Sequence, residues 1–302
     1  MASLRQIRRR IRSIQSTKQI MRAMQMVSGS KFKRAQNRLL QARAVLEFLD
    51  GLLMRVLAST PGLEHPLATV KDGPSTVAIF TSDTGLCGSY NANLIRVAES
   101  DLWKRDGITQ DGQVYLLKRD RTPVIYIGKR GYRYFTNRGW EAVKFYLDLA
   151  GRPNASKAEA IGRELMARFL SGGASSVHLI YSQFRSLTTY RPTVLQWLPI
   201  QPQPTTGPLG HSATATSLEY IFEPSAERVF EDLLPRWAMV KFQLVMLEAF
   251  TSEHGARMIA MKNATDNAED LLGRLTRQRN KIRQATITRE LSEIVGTVEA
   301  LK

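Results

Sequence analysis

Apolar stripes at both ends of the chain constrain the fold more than any other feature of the sequence. Between Leu4 and Val56, alternating steps of three and four residues reach sixteen positions, and thirteen of them are apolar. From Trp237 to Ile282 the same steps reach fourteen positions, of which ten are apolar. A 3.5-residue period sustained over this length is typical of a coiled-coil seam, because it keeps one face of a helix turned toward one partner.

Two features of the C-terminal region predict departures from one regular paired helix. After Ile282 the apolar stripe shifts by one residue, which predicts a local unwinding of the coiled coil. Pro235 lacks a backbone donor and favours helix starts, so we expect a short separate helix over about 225–234. The shifted stripe resumes at Ile287, Leu291, Ile294, Val298 and Leu301.

Two long helices at opposite ends of a chain can cover each other's apolar faces if they pair. The sequence predicts a helix over 1–60 and a second over 225–302, joined as an antiparallel coiled coil. An alternative stays open on the pattern alone, in which each helix packs into an ordinary bundle.

The middle of the chain, residues 70–205, alternates apolar strand-like runs with helical segments. Such alternation predicts a small Rossmann-like α/β domain with a mostly parallel sheet. Residues 206–224 follow as a loop or linker, in a region rich in Pro, Thr, Gly and Ser. The predicted strands are Val77–Phe80, Val114–Leu117, Val124–Ile127, Val177–Phe184 and Thr193–Leu198, and the predicted helices cover 91–104, about 139–149, and 156–170.

The sequence offers little chemistry for a nucleotide, a metal or a catalytic nucleophile. A phosphate-binding P-loop motif is absent, and Gly85 to Gly88 lacks the third glycine of a dinucleotide loop, which favours a tight turn. Cys87 is the single cysteine and is expected to be a small buried residue. We therefore predict no catalytic residue, no metal site and no cofactor. The four histidines are scattered without metal-ligand spacing: His65, His178, His211 and His254.

Positive charge is concentrated at the N-terminus. The chain has a net charge of +16, and twelve basic residues precede Val45 whereas the first acidic residue is Glu47. Such a segment calls for an acidic partner. A basic-zipper protein that binds nucleic acid is one alternative, but the apolar seam continues through the basic segment at Ile7 and Ile11. A mitochondrial transit peptide is another, but the pattern runs far beyond a cleavable length.

Six segments of the sequence together carry a family resemblance: Ser3–Ile14, Gln19–Val27, Lys31–Gln36, Thr81–Gly88 with Asn91, Ser252–Ala268 and Arg283–Val295. In this order they resemble the gamma subunit of F-type ATP synthases. The resemblance covers both ends of the chain and, more thinly, its middle. Thr84, Ser89 and Arg279 depart from the usual family residues, and the stretch 107–123 is longer than usual.

The resemblance implies a non-catalytic rotor on the central stalk. Its partners would be the alpha, beta and epsilon subunits, possibly delta, and the membrane c-ring, with no nucleic acid bound. The chain would lie peripherally on the cytoplasmic side of a bacterial plasma membrane, without a transmembrane segment. The implied contacts to the alpha/beta ring are Arg8, Arg9, Arg10, Arg12, Lys18, Arg22, Met24, Arg283 and Gln284.

Overall fold

The computed structural model describes residues 4–60, 62–105, 122–149, 155–201 and 222–300. Two long helices, α1 (Leu4–Ser59) and α5 (Ala226–Ala300), occupy the ends of the chain. The chain divides into two compact units. We call residues 1–29 and 257–302 the terminal unit, and residues 30–256 the sheet unit.

In the terminal unit the two helices pair in antiparallel orientation. Lys18 lies 3.1 Å from Glu269, and Gly29 lies against Met258, so rising numbers on α1 meet falling numbers on α5. This unit has its own apolar core along the seam. The core residues are Ile7, Ile11 and Leu275, with Ile14, Leu272 and Ile282 packed against them.

The helical segments of the sheet unit are also antiparallel. Arg43 pairs with Glu248, and further along α1 the Asp50 carboxylate accepts a hydrogen bond from the indole of Trp237. Every predicted seam position, from Leu4 to Val56 and from Trp237 to Ile282, is buried or half-buried. The predicted antiparallel pairing is confirmed.

Two predictions about α5 are wrong. The helix is continuous through Pro235, where neighbouring Leu234 and Ala238 are buried in the core and offset the lost backbone hydrogen bond. The apolar stripe beyond Ile282 was expected to continue the seam after a local unwinding of the coiled coil. The shifted stripe is not a buried seam, since every side chain from 283 to 297 is exposed. The register of the pair explains this, because Ile282 already packs on the core at the start of α1.

Five strands form the sheet: β1 (Ser75–Phe80), β2 (Val124–Ile127), β3 (Ala142–Tyr146), β4 (Ser176–Phe184) and β5 (Tyr190–Leu198). Their order is β3-β2-β1-β4-β5, with all neighbours parallel except the antiparallel pair β4–β5. Three more helices connect them: α2 (Tyr90–Arg105), α3 (Lys129–Thr136) and α4 (Ala155–Leu170). The predicted mostly parallel α/β domain is confirmed.

The region around β3 differs from the prediction. We expected a helix near 139–149, where the structure has β3, and the sequence reasoning missed α3. The pattern was ambiguous because β3 is a short edge strand whose three central side chains are exposed. The predicted strand 114–117 and most of the predicted linker 206–224 lie outside the described residues.

Apolar cores cover both faces of the sheet. One core combines Ala78 and Leu179 with side chains from α1, α4 and α5. The other combines Val77 and Ile180 with side chains from α2 and α3. Burial on both faces is what a parallel sheet requires, and it places α5 directly against the sheet.

Candidate coupling surface

Four arginines form a compact basic surface on the first turns of α1. Arg8, Arg9, Arg10 and Arg12 are all exposed, whereas Ile7 and Ile11 are buried in the seam. The helical period causes this separation, since residues four apart share a face and those between them point elsewhere. Within the described part of the chain no carboxylate pairs with these guanidinium groups. Their charge is therefore available to an acidic partner.

The other predicted residues on α1 have different surroundings. The Lys18 ammonium lies 3.1 Å from the Glu269 carboxylate, so part of its charge is balanced inside the terminal unit. Arg22 is exposed, and Met24 is half-buried. Met24 therefore contributes to helix packing as well as to the surface.

Apolar residues that sequence reasoning did not select are more exposed than Met24. Ile20, Met26 and Val27 have 60%, 65% and 56% of their surface exposed. Their positions off the 3.5-residue seam were the available signal. Exposed apolar side chains in a group often mark a surface that contacts another protein.

The two predicted residues on α5 lie at the same end of the terminal unit as the arginine cluster. Arg283 and Gln284 are exposed and follow Ile282, which packs on the core formed by Ile7 and Ile11. Beyond them the helix presents further apolar side chains. These exposed residues are Ile287, Leu291, Ile294 and Val295. The structure thus places the four arginines, Arg283 and Gln284 at one end of the terminal unit. Lys18, Arg22 and Met24 lie further along α1.

The place where an α/β sheet ordinarily binds a nucleotide is filled by the chain itself. From β1 the chain continues to β2 and β3 on one side, and after β3 it returns to form β4 on the other side of β1, so the switch in strand order lies between β1 and β4. Helix α5 packs there: Ser252 Oγ donates to the carbonyl oxygen of Ser182 at 3.0 Å, and Ala256 joins the apolar core. A buried helix therefore occupies the crevice.

The loop after β1 is held by a side chain from the first turn of α2. The backbone N–H of Ser82 donates to Asn91 Oδ1 at 3.0 Å, and Leu86 and Gly88 have φ angles of 63° and 57°. These left-handed residues make a tight turn, as the glycines predicted. Cys87 is buried, and the Asn91 amide donates to its sulfur at 3.2 Å.

The histidines have structural surroundings. His65 is buried, and its Nδ1 accepts a hydrogen bond from the Leu67 N–H at 3.0 Å. Burial lowers the pKa of His65, although the nearby Glu231 opposes this. His254 is buried in α5, and His211 lies outside the described residues. The described ranges contain no group of three or more side chains arranged to hold a metal ion, and no helix in them is long and apolar enough to cross a membrane.

Solved structures share this fold at low sequence identity. A chain in the Euglena gracilis mitochondrial ATP synthase structure titled OSCP/F1/c-ring, rotational state 3, aligns with a TM-score of 0.64 and 16% identity, covering 99% of this chain and 94% of that one. A chain from the Tetrahymena thermophila mitochondrial ATP synthase central stalk/c-ring aligns with a TM-score of 0.57 and 20% identity, over 81% of this chain and 99% of that one.

Sequence relatives match almost end to end. The ATP synthase gamma chain of Symbiobacterium thermophilum is 40% identical over 98% of this chain and 97% of its own length. That of Desulforamulus reducens is 39% identical over the full length of both. A family model described as ATP synthase matches residues 3–301. The chain belongs to the ATP synthase gamma-chain family.

Proposed function

We propose that this chain is the central-stalk rotor of a bacterial F-type ATP synthase. It transmits torque between the membrane c-ring and the alpha/beta catalytic hexamer, and so couples proton flow to ATP synthesis. The observation that carries the proposal is the 40% identity to an ATP synthase gamma chain over 98% of this chain. In this arrangement residues 1–60 and 225–302 form the shaft, 70–205 the globular domain and 206–224 a linker.

The chain acts without catalysing a reaction itself. A rotor changes the state of a neighbouring subunit only if it makes different contacts with that subunit's different conformations. An asymmetric surface meets this requirement, because each orientation presents different side chains to a given beta subunit. In the terminal unit, exposed arginines on α1 and exposed apolar side chains on α5 supply that asymmetry.

The contacts to the ring come from the residues selected by sequence. Arg8, Arg9, Arg10 and Arg12 face acidic loops of the ring, and Arg283 and Gln284 hydrogen-bond a beta subunit. Lys18, Arg22 and Met24 contact the alpha/beta ring further along α1. A charge-assisted hydrogen bond contributes about 1.5–3 kcal/mol where water is excluded and far less where the pair stays exposed. Single substitutions therefore have mild effects, and combined ones are severe.

The remaining partners follow from the same role. The globular domain rests on the c-ring with epsilon beside it, and delta is a possible further partner. The chain is peripheral to the membrane on its cytoplasmic side.

Nucleic-acid binding is the rival function, and the structure gives a specific reason against it. A helix that reads a DNA groove stands apart from its zipper. Here the basic segment is itself part of the seam, with Ile7 and Ile11 buried beside Leu275. One face of this helix is therefore unavailable to a groove.

The test is ATP hydrolysis by a purified alpha/beta hexamer from the same organism, with and without the full chain. We expect a stable complex with strongly raised, sustained turnover. In a variant with Arg8, Arg9, Arg10 and Arg12 all changed to Gln, we expect most of that stimulation to be lost.

A matched control removes the same amount of charge elsewhere. Changing the exposed sheet-unit residues Arg96, Arg133, Arg185 and Arg191 to Gln also lowers the net charge by four, and should leave the stimulation intact. Failure of the unmodified chain to bind a competent hexamer would contradict the proposed function. Equal effects of the two variants would contradict the assigned contacts.

A further inference from the structure

Helix α5 is held in the sheet unit by side chains that bond to its backbone. The indole Nε1 of Trp197 on β5 donates to the carbonyl oxygen of Ala238 at 3.0 Å. The hydroxyl of Tyr90 on α2 donates to the carbonyl oxygen of Ala249 at 3.1 Å. Both donors are buried. These contacts come from different elements and meet α5 about three turns apart.

A third contact joins three elements at one point. Arg43 Nη2 on α1 lies 2.6 Å from Glu248 Oε1 on α5, and 3.0 Å from the carbonyl oxygen of Phe184 at the end of β4. The Tyr181 hydroxyl, also on β4, hydrogen-bonds the same carboxylate. One turn further along α5, Ser252 Oγ bonds to the Ser182 carbonyl oxygen.

The Glu248 carboxylate is buried, with 5% of its side chain exposed. Burial raises its pKa, while the Arg43 guanidinium and the Tyr181 hydroxyl oppose this shift. An ion pair with a buried member adds little stability over an apolar pair of the same shape, and in some proteins such pairs specify one geometry. Its position therefore favours a role in alignment.

Directional contacts add to the resistance that interdigitated apolar packing already gives against motion of α5. Apolar burial is itself non-directional, so it does not specify one orientation through bond angles. A hydrogen bond weakens steeply as its angle departs from linear. Contacts from α1, α2, β4 and β5 together oppose rotation of α5 in either direction.

We propose that Arg43, Tyr90, Trp197, Glu248 and Ser252 form a polar clamp that fixes α5 in rotation against α1 and the sheet. This inference rests on the proposed rotor function. It adds to that function the contacts through which torque passes between the globular domain and the helices. The clamp residues are positioning residues, and they touch no substrate.

The test measures the torsional stiffness of the assembled rotor. The alpha/beta hexamer is fixed to a surface and stalled. A bead is attached to the sheet unit through a cysteine that replaces the exposed Glu141 (Glu141→Cys). Thermal fluctuations of the bead angle then report the stiffness between ring and domain. In Arg43→Met we expect the angular variance to rise about twofold, because the contact that joins three elements is lost.

Two further variants separate alignment from general destabilisation. Tyr90→Phe removes only a hydroxyl and should raise the angular variance by a smaller amount. This variant tests the clamp on its own if Arg43→Met does not fold. Phe135→Leu on α3 weakens the buried core but removes none of the clamp's hydrogen bonds, and should leave the variance unchanged.

The two levels of the proposal fail differently. If the unmodified chain does not assemble with a competent hexamer, the rotor function is wrong and the clamp has no torque to carry. If it assembles and rotates, but Arg43→Met and Tyr90→Phe match the variance of the unmodified chain, the clamp is wrong and the rotor function stands.

Discussion

Replacing Arg43 by Met tests the energetics of the buried pair with Glu248. The change keeps an unbranched side chain but leaves a buried carboxylate without its cation. Breaking a fully buried pair costs about 3–5 kcal/mol. The Arg43 side chain is 36% exposed, so water screens part of the interaction, and we expect the free energy of unfolding to fall by about 2–3 kcal/mol at pH 8.

The loss should depend on pH in a defined direction. Without Arg43, the pKa of Glu248 rises further above its ordinary value of 4.5. The folded state then holds a proton that the unfolded state has released, so the free energy of unfolding decreases as the pH rises from 4.5 through the raised pKa. Arg43→Met should therefore be least harmful near pH 5 and most harmful at pH 8.

Equilibrium urea unfolding of the full chain, followed by circular dichroism at both pH values, measures this. Adding Glu248→Gln to Arg43→Met removes the buried charge and should restore most of the stability lost at pH 8. The reasoning is refuted if Arg43→Met loses less than about 0.5 kcal/mol, which is the size expected for an ordinary surface substitution. A loss that is equal at pH 5 and pH 8 refutes it as well.

Three further substitutions test local features. Gly128 has a φ of 112°, and a β-carbon there would lie 2.0 Å from the Thr81 carbonyl oxygen. Gly128→Ala should therefore lower the free energy of unfolding by about 3 kcal/mol or more. A change below about 1 kcal/mol in urea unfolding would contradict this geometry. Burial lowers the pKa of His65 below its ordinary value of 6.5, so the free energy of unfolding should fall as the pH drops through 6.5. His65→Asn keeps an acceptor oxygen and should make the free energy of unfolding less dependent on pH in this range. An unchanged pH dependence would show that another group titrates. The Lys18–Glu269 pair is partly exposed, so Lys18→Met should lower the free energy of unfolding by about 1 kcal/mol at most. A loss well above that in urea unfolding would contradict the exposed geometry of the pair.

The paired helices could be predicted from sequence because their signal is long. A 3.5-residue period over many turns leaves few structures that bury the apolar positions, and the same period marked Ile7 and Leu275 as seam residues. Periodicity shows which face is apolar but not whether a partner covers it. Ile287 and Leu291 were therefore expected in a seam, although the pairing register leaves them exposed.

Short or locally unusual segments were less predictable. Strand β3 has five residues and three exposed side chains, so its apolar residues match neither the two-residue period of a strand nor the 3.6-residue period of a helix. Pro235 obeys a local rule against helix interiors that tertiary packing overrides here.

Among the candidate contact residues, the exposure of the four arginines near the start of α1 could be predicted, because they lie off the apolar seam. Pairing of Lys18 with Glu269 depends on the antiparallel register, which the pattern alone does not give. The Arg43–Glu248 pair joins residues 205 positions apart, and no motif marks it.

Rotation is the central claim, and it can be observed directly. The hexamer is fixed to a surface, the full chain carries a bead at Glu141→Cys, and ATP is added. We predict continuous rotation of the bead in one direction, at a rate that rises with ATP and stops when hydrolysis is inhibited. A stable complex that hydrolyses ATP while the bead only fluctuates about a fixed angle would contradict the account.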